Sequence, residues 1–237
     1  PRFEMRVVGG DTLGDSAYVV AVIPEPDGDA IAVRFADPGK RLTSGLAIAD
    51  RARPTPQLLW PDSVTAAWWN TPHTIAFTTT TGGGVRAVVD VHAETLTVVT
   101  RPAQQATAPP RAGAPEPRDR ERARAWVDSA FVQPGGRPAR AGLRYEVDTI
   151  LPSFDGRWAG FHVVAHDSAG RPSNPAWLLI ARDGGGVTEL DRITGTASAL
   201  PAAAAAWSSN GRFFYARGRT VVEVRPEGAV GGAPPGR

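Results

Sequence analysis

The stretch from Ala205 to Ala216, AAWSSNGRFFYA, decides the fold class of this chain. An apolar run ends at Trp207, a polar Ser-Ser-Asn-Gly turn follows, and an aromatic run begins at Phe213. Asn-Gly between two apolar runs favours a tight reversal, and aromatic residues favour extended backbone. The stretch therefore predicts two antiparallel strands joined by a hairpin.

Two other stretches repeat this pattern. The sequence AAWWNTPHTIAF surrounds Trp68, which we align with Trp207, and LPSFDGRWAGF begins at Leu151 and carries the turn Asp155-Gly156-Arg157. A single small sheet cannot cover its own apolar face, whereas repeated sheets that pack side by side bury it. The copies therefore predict an all-β array of propeller-like sheets.

The stretches W-S-S-N-G-R-F-F-Y-A and P-S-F-D-G-R-W-A-G-F resemble the W-S-P-D-G-[KR]-x-[IVL]-x-F repeat of TolB-type β-propellers. The resemblance covers three short blocks; Thr71 and Asn210 replace the Asp, Pro72 replaces the Gly and Pro152 replaces the Trp. Blades of about 40 residues would allow at most about five in this length. We expect a small or incomplete propeller-like arrangement of antiparallel sheets, or alternatively an irregular β-sandwich.

Composition along the chain predicts four segments. They are a first β arm at 1–100, a proline-rich linker with a short helix at 101–124, a second β arm at 125–228 and a tail at 229–237. The linker holds five prolines from Arg101 to Pro117, and unbroken helix formers predict a helix of about two turns from Arg118 to Trp126. Strands are expected at 3–8, 17–23, 30–35, 74–79, 86–91, 95–99, 125–132, 143–148, 158–166, 177–182, 187–190, 213–216 and 220–225.

The charge pattern argues against a nucleic-acid partner. The 237 residues carry 26 basic and 24 acidic side chains, a net charge of +2. In the densest basic cluster, RDRERAR at Arg118–Arg124, Asp119 and Glu121 cancel much of the field. No apolar stretch approaches the ~20 residues of a membrane-spanning helix, so we expect no direct span.

Motifs for catalysis, cofactors and metals are absent from the sequence. Gly14-Asp15-Ser16-Ala17 lacks the Asp-x-x-His that would activate a serine, and the glycine runs lack the lysine of a phosphate loop. His162 and His166 on one strand would lie ~13 Å apart, too far to bind one ion. We expect no catalytic, cofactor or metal site, and no cysteine is present.

Seven tryptophans are many for this length, and most are expected in the sheet cores. Trp60, placed in a loop before Pro61, and Trp69, beside the core position of Trp68, fit that pattern less well. Exposed aromatic and arginine side chains dominate binding interfaces. We therefore take as interface candidates Trp60, Trp69, Arg118, Arg122 and Arg237.

The repeats and the surface residues of this sequence are compatible with two functions. The first is a non-catalytic interaction or scaffolding subunit that packs onto other protein subunits of a larger assembly, which could be membrane-bound. The alternative is a propeller enzyme or small-ligand binder whose central channel would bring together Asp155, Arg157, His162 and Arg212; a regulatory fragment of a larger propeller enzyme is a third option. The TolB-type resemblance implies a periplasmic or envelope-facing location, whereas Pro1, which fits removal of an initiator methionine, favours the cytoplasm.

Overall fold

The computed structural model describes residues 2–6, 17–26, 29–37, 39, 42–49, 57–61, 63–80, 85–88, 90–91, 93, 95, 97–101, 115, 117–133, 137–138, 140–193 and 204–226. The chain forms two compact units. Unit 1 comprises Pro1–Pro110 and Ala203–Arg237, and unit 2 comprises Arg111–Ala202. This division differs from the two arms expected from composition, because the second of those arms is shared between the units.

Unit 1 contains three four-stranded antiparallel sheets among its described residues. In the first two sheets each strand pairs with the next strand along the chain. Sheet A contains β2 (Tyr18–Pro24), β3 (Ile31–Asp37), β4 (Leu42–Ala49) and β5 (Gln57–Trp60). Sheet B contains β6 (Val64–Thr71), β7 (Thr74–Thr79), β8 (Val85–Val88) and β9 (Val98–Arg101).

Sheet C joins the two ends of the chain. Its strands β16 (Ala205–Trp207), β17 (Phe213–Arg217) and β18 (Thr220–Val224) are consecutive. The outer strand is β1 (Arg2–Arg6), which pairs antiparallel with β18, from Arg2 opposite Val224 to Arg6 opposite Thr220. Residues from the start of the chain therefore complete a sheet that the C-terminal strands begin.

The central strands of these sheets are buried on both faces. In β3, Ile31, Ala32 and Val33 are fully buried although successive side chains point to opposite faces. The four successive residues Phe213–Ala216 of β17 are also buried. Continuous apolar runs of this kind require cover on both sides. Sheet A contacts both sheet B and sheet C.

Unit 2 contains one helix and one four-stranded sheet among its described residues. Helix α1 (Pro117–Phe131) leads into the short strands β10 (Val132–Gln133) and β11 (Arg137–Pro138). Sheet D follows, with β12 (Arg144–Pro152), β13 (Trp158–His166), β14 (Pro172–Arg182) and β15 (Val187–Ile193) in sequential order. The apolar side of α1 covers one face of this sheet through Val127, Trp126 and Phe131.

The all-β class and the propeller-like antiparallel sheets predicted from the repeats are confirmed. Strands 74–79 and 158–166 have the predicted bounds. The strand predicted at 125–132 is wrong, because α1 continues to Phe131 and is 15 residues long. In the four-stranded sheets, β4 and β5 were not predicted; the first contains Ser44 and Gly45, which weaken a strand pattern. Strands β6 and β16 are the first strands of hairpins that the repeats predict. The tail at 229–237 and most of the linker lie outside the described residues.

Backbone geometry corrects the alignment of the second repeat by one residue. Trp207 pairs with Phe213 and Trp69 pairs with Ile75, six positions apart in both hairpins. His73 has φ of 66°, in the place where Gly211 has 76°. Trp69, rather than Trp68, is therefore the counterpart of Trp207, because the Asn-Gly turn and the Pro-His turn align only in this register.

A fourth copy of the repeat lies at Pro24–Ile31. Glu25 N donates to Ala30 O at 2.9 Å and Ala30 N donates to Glu25 Oε2 at 3.1 Å. The hairpin of sheet D has the same closure, from Ser153 N to Trp158 O at 2.8 Å and from Trp158 N to Ser153 Oγ at 3.0 Å. Glu25 thus takes the place of the repeat serine, which is why this copy is hard to detect in sequence.

Candidate functional site

A cleft of about 760 Å³ lies within unit 2, between α1 and strand β12. Its helix side is formed by Arg120, Arg124, Val127 and Asp128, and its strand side runs from Leu143 to Ile150. It combines apolar and charged groups in an open depression, which suits recognition of an extended ligand. We name this feature the helix–strand cleft.

Helical periodicity puts one row of α1 side chains on the cleft. Positions 120, 124 and 128 are separated by four residues and therefore lie on one side of a helix. From Arg118 to the end of the helix at Phe131 the sequence contains no glycine or proline. Asp119 in the first turn stabilises the helix, because its negative charge lies near the positive end of the helix dipole. Arg120, Arg124 and Asp128 are all exposed.

Strand β12 forms the opposite wall and is an edge of sheet D. Only β13 pairs with it among the described strands. Its residues alternate between exposed Arg144, Glu146 and Asp148 and partly buried Tyr145 and Val147. This alternation is the pattern of a strand with one face on a core; the register with β13 shifts at Asp148, between Val147 and Thr149.

Aromatic contacts hold the helix against the strand. The ring of Phe131 stacks on Tyr145 at a centroid distance of 4.8 Å and contacts Trp177 at 4.9 Å. Trp126 stacks on Phe161 at 5.4 Å. Such aromatic pairs stabilise packing beyond their buried area, so the two walls of the cleft are fixed relative to each other.

Most charges near the cleft have partners within the protein. Arg144 forms an ion pair with Glu146, and Glu146 Oε2 lies 3.4 Å from His166 Nε2. Asp148 Oδ2 lies 3.3 Å from His162 Nδ1. Within the part of the chain that the structure describes, Arg120, Arg124 and Asp128 have no ion pair, so their charges are available to a ligand.

His162 is a buried member of this network. Its side chain is 1% exposed, and among the described residues Nε2 has no hydrogen-bond partner. Burial lowers the pKa of His162, and the hydrogen bond and charge of Asp148 oppose that shift only in part. A neutral imidazole at this depth acts as a packed structural group, since it has no exposed surface at which to meet a substrate.

The four residues expected in a central channel do not form one cluster within either unit. Arg212 belongs to unit 1, where it is buried and bonds Asp29 and Asn210. Asp155 accepts hydrogen bonds from Ser153 Oγ at 2.6 Å and Arg157 N at 3.0 Å, which makes it a turn residue. No group of three or more potential metal ligands occurs among the described residues.

The interface candidates have different positions in the structure. Trp69 is 6% exposed, so its placement on an outward surface is wrong; its Nε1 instead donates to Ile23 O at 2.9 Å. Trp60 ends β5 rather than lying in a loop; it is half-buried and lies under the Arg86 guanidinium at 4.2 Å.

The arginine candidates also separate. Arg118 is exposed on α1, and Arg122 pairs with Asp183 at 2.9 Å. Arg237 lies outside the described residues. The sequence does not single out the cleft arginines, Arg120 and Arg124, because Asp119 and Glu121 lie between them and their neighbours in RDRERAR and offset their charge. In a helix, Arg120 and Arg124 lie on one side, and Arg122 lies about half a turn away from Arg120.

No family model and no curated protein matches this chain. Solved structures with some likeness include a periplasmic gluconolactonase of Pseudomonas aeruginosa, with 14% identity, a TM-score of 0.25 and coverage of 84% of this chain. The Cps50 (Swd1) β-propeller domain of Myceliophteria thermophila has 10% identity, a TM-score of 0.23 and coverage of 91% of this chain and 68% of that chain.

Hydrazine synthase of Kuenenia stuttgartiensis has 9% identity, a TM-score of 0.22 and coverage of 87% of this chain and 75% of that chain. This chain spans half the length of the gluconolactonase. None of these TM-scores is high enough to support an argument about function. Helix α1 does not meet the length and hydropathy of a membrane-spanning helix, and no other described helix does.

Proposed function

We propose that the chain is a non-catalytic protein-binding subunit that takes an extended segment of a partner protein into the helix–strand cleft. One observation carries the proposal: the cleft has an edge strand, β12, as one wall and a charged helix face as the other. An edge strand presents backbone N–H and C=O groups that an added strand can pair with. The charged side chains of the helix then select which partner side chains can bind.

The strand wall suits strand addition. Arg144–Ile150 form a row of seven residues that face only one described strand. Alternate residues of an edge strand direct their backbone polar groups away from the sheet. A partner segment that runs along β12 would satisfy these groups and continue sheet D by one strand, which is a recurrent mode of peptide recognition.

The side chains of the cleft also favour a protein segment. Tyr145 and Val147 provide apolar contact next to the helix, while Arg120, Arg124 and Asp128 border it with charge. An apolar centre with a charged rim is the usual anatomy of a protein interface. Against catalysis, the two carboxylates of the strand wall are engaged with neighbouring side chains, Glu146 with Arg144 and Asp148 with the buried His162.

The setting that we propose for this binding is a larger, envelope-facing assembly. The TolB-type hairpins support it, since their resemblance implies a propeller of the bacterial envelope. Cell fractionation of a host strain that carries the full gene, with a tag on the protein, tests the compartment. Recovery in the cytoplasmic fraction alone would contradict the envelope location. It would not affect the binding proposal, which is tested separately.

A cleft-filling variant tests the binding proposal. Asp128→Trp places a bulky side chain in the cleft, and Glu121→Trp is the matched control because Glu121 is exposed on the same helix and does not line the cleft. Peptides enriched from a displayed library on the full chain are measured by calorimetry. We expect roughly tenfold weaker binding to Asp128→Trp and unchanged binding to Glu121→Trp.

Hydrogen exchange supplies a second readout. Bound peptide should slow exchange of backbone amides within Arg144–Ile150, because newly formed strand bonds protect them. Failure to enrich any peptide, or equal affinity for the Asp128→Trp and Glu121→Trp variants, would overturn the proposal. Circular dichroism and the urea midpoint establish that each variant is folded.

A further inference from the structure

The helix side of the cleft carries an ordered row of uncompensated charge. Arg120, Arg124 and Asp128 follow at intervals of four residues, and none has an ion pair within the described residues. Arg122, which points elsewhere on the same helix, is neutralised by Asp183. The row therefore presents two positive charges and then one negative charge to whatever occupies the cleft.

The spacing of this row matches that of an extended chain. Four residues of helix rise by about 6.0 Å at 1.5 Å per residue. Two residues of strand advance by about 6.6 Å, and side chains two residues apart share one face of a sheet. A strand added to β12 that runs along the axis of α1 would place every second side chain opposite successive members of the row.

Charge complementarity defines what these side chains are. Carboxylates suit Arg120 and Arg124, because a guanidinium binds a carboxylate with two parallel hydrogen bonds. A lysine or arginine suits Asp128. The intervening residues of the partner segment face away from α1, so the charges of this row do not restrict their identity.

The protein's own proline-rich linker does not fit this description. Its residues from Arg101 to Pro117 include Arg101, Arg111 and one acidic residue, Glu116, so they cannot supply two acidic positions and they carry a net positive charge. Their charge has the same sign as Arg120 and Arg124, so this segment would be repelled by the first two positions of the row. The charge pattern favours a segment supplied by a different protein.

Resting on the proposed function, we infer that the helix–strand cleft selects an extended partner segment with the pattern acidic-x-acidic-x-basic. Arg120 and Arg124 are the specificity-determining residues for the two acidic positions, and Asp128 is the one for the basic position. The strand edge supplies affinity that does not depend on sequence, and the helix row sets the sequence and its direction.

Designed peptides test the inference by fluorescence anisotropy on the full chain. The first peptide is nine residues of threonine and valine with Glu, Glu and Lys at its third, fifth and seventh positions. The second reverses the charges to Lys, Lys and Glu, and the third has the first composition with the two glutamates adjacent. We expect the first to bind roughly tenfold more tightly than either at low salt, with the difference reduced at high salt.

Charge-reversal variants complete the test. The double variant Arg120→Glu/Arg124→Glu should reverse the preference between the first two peptides, while Arg140→Glu, at an exposed arginine of the same unit outside the cleft, should leave it unchanged. Equal binding of the first and third peptides would overturn the spacing argument, and an unchanged preference in the double variant would overturn the role of the two arginines.

The two proposals fail in different ways. If library peptides bind in the cleft but show no acidic-x-acidic-x-basic preference, the inference is wrong and the protein-binding function stands. If no extended peptide of any charge binds, both are wrong. If the preferred segment proves to be a second copy of this chain, detected as a concentration-dependent dimer by sedimentation, the assignment to a different partner protein is wrong.

Discussion

Arg212 Nη1 lies 2.6 Å from Asp29 Oδ1, and this ion pair joins the β16–β17 hairpin to the β2–β3 hairpin across 183 positions of sequence. Arg212 is almost fully buried, and its Nη1 is also 3.9 Å from Oε1 of the buried Glu223. Asn210 Oδ1 accepts from Arg212 Nε at 2.9 Å. The arginine of the repeat motif thus connects two sheets of unit 1.

This relationship predicts unequal effects for its two partners. Arg212→Met should lower the free energy of unfolding by about 3–5 kcal/mol, because a buried charge network loses its central cation. Asp29→Asn should cost at most about 1 kcal/mol, because the Asp29 side chain is 70% exposed and its pairing is screened. Urea unfolding of the full chain measures both; similar losses for the two variants would contradict the buried network.

Gly45 is required by close packing in sheet A. A Cβ at this position would overlap the ring of Phe35, which is fully buried and lies opposite Gly45 in the sheet. Gly45→Ala should therefore destabilise the protein by about 1–3 kcal/mol through overpacking. Gly186→Ala is the control, since nothing lies within 4 Å of its added Cβ, and thermal melts compare the two. Equal melting temperatures would show that Phe35 can move aside.

Trp69 and Trp68 provide a matched pair of adjacent residues. Trp69→Phe removes the donor to Ile23 O and should cost about 1–3 kcal/mol, because a carbonyl in the core loses its bond. Trp68→Phe should cost less, since Trp68 Nε1 has no partner among the described residues. Urea midpoints test the order. A larger loss for Trp68→Phe would show that the bond from Trp69 Nε1 to Ile23 O contributes little to stability.

Protonation of His162 should make stability depend on pH. Burial lowers the pKa of His162 below its ordinary value of 6.5, so the unfolded chain binds this proton more readily than the folded protein. The stability contribution is complete above pH 6.5 and is lost as the pH falls from 6.5 to the lowered folded pKa.

The variant His162→Gln removes the titrating group. The decrease in unfolding free energy from pH 7.5 to pH 5.0 should accordingly be smaller in this variant than in the native protein. Urea titrations at both pH values provide the measurement. An equal decrease in the two proteins would assign the pH dependence to other groups.

Sequence patterns predicted the strands whose bounds depend only on neighbouring residues in the sequence. Thr74–Thr79 and Trp158–His166 carry β-branched and aromatic residues between turn residues, so their strand bounds follow from local chemistry. Strand β4, with Ser44 and Gly45 inside it, was missed because its place is set by Phe35 across the sheet. The residues around Gly45 in the sequence do not indicate that Phe35 lies opposite it in the sheet.

The helix shows the same division. Helix formers predicted its start near Arg118, yet its end at Phe131 depends on contacts of Phe131 with Tyr145 and Trp177, which the linear sequence does not bring together. A strand was predicted there because Trp126, Val127 and Phe131 are good strand formers in isolation. Tertiary packing reversed that local preference.

By itself, the sequence determined that this chain folds into small antiparallel sheets with polar hairpins, since turn chemistry and apolar runs act over a few residues. Only the tertiary structure decided that Trp69 is buried beside Trp68, that Glu25 replaces the repeat serine, and that Arg120 and Arg124 face β12 while Arg122 pairs with Asp183. These outcomes depend on which face of a helix or strand packs against residues that are distant in the sequence. Moving one position along a helix or strand places the side chain on a different face.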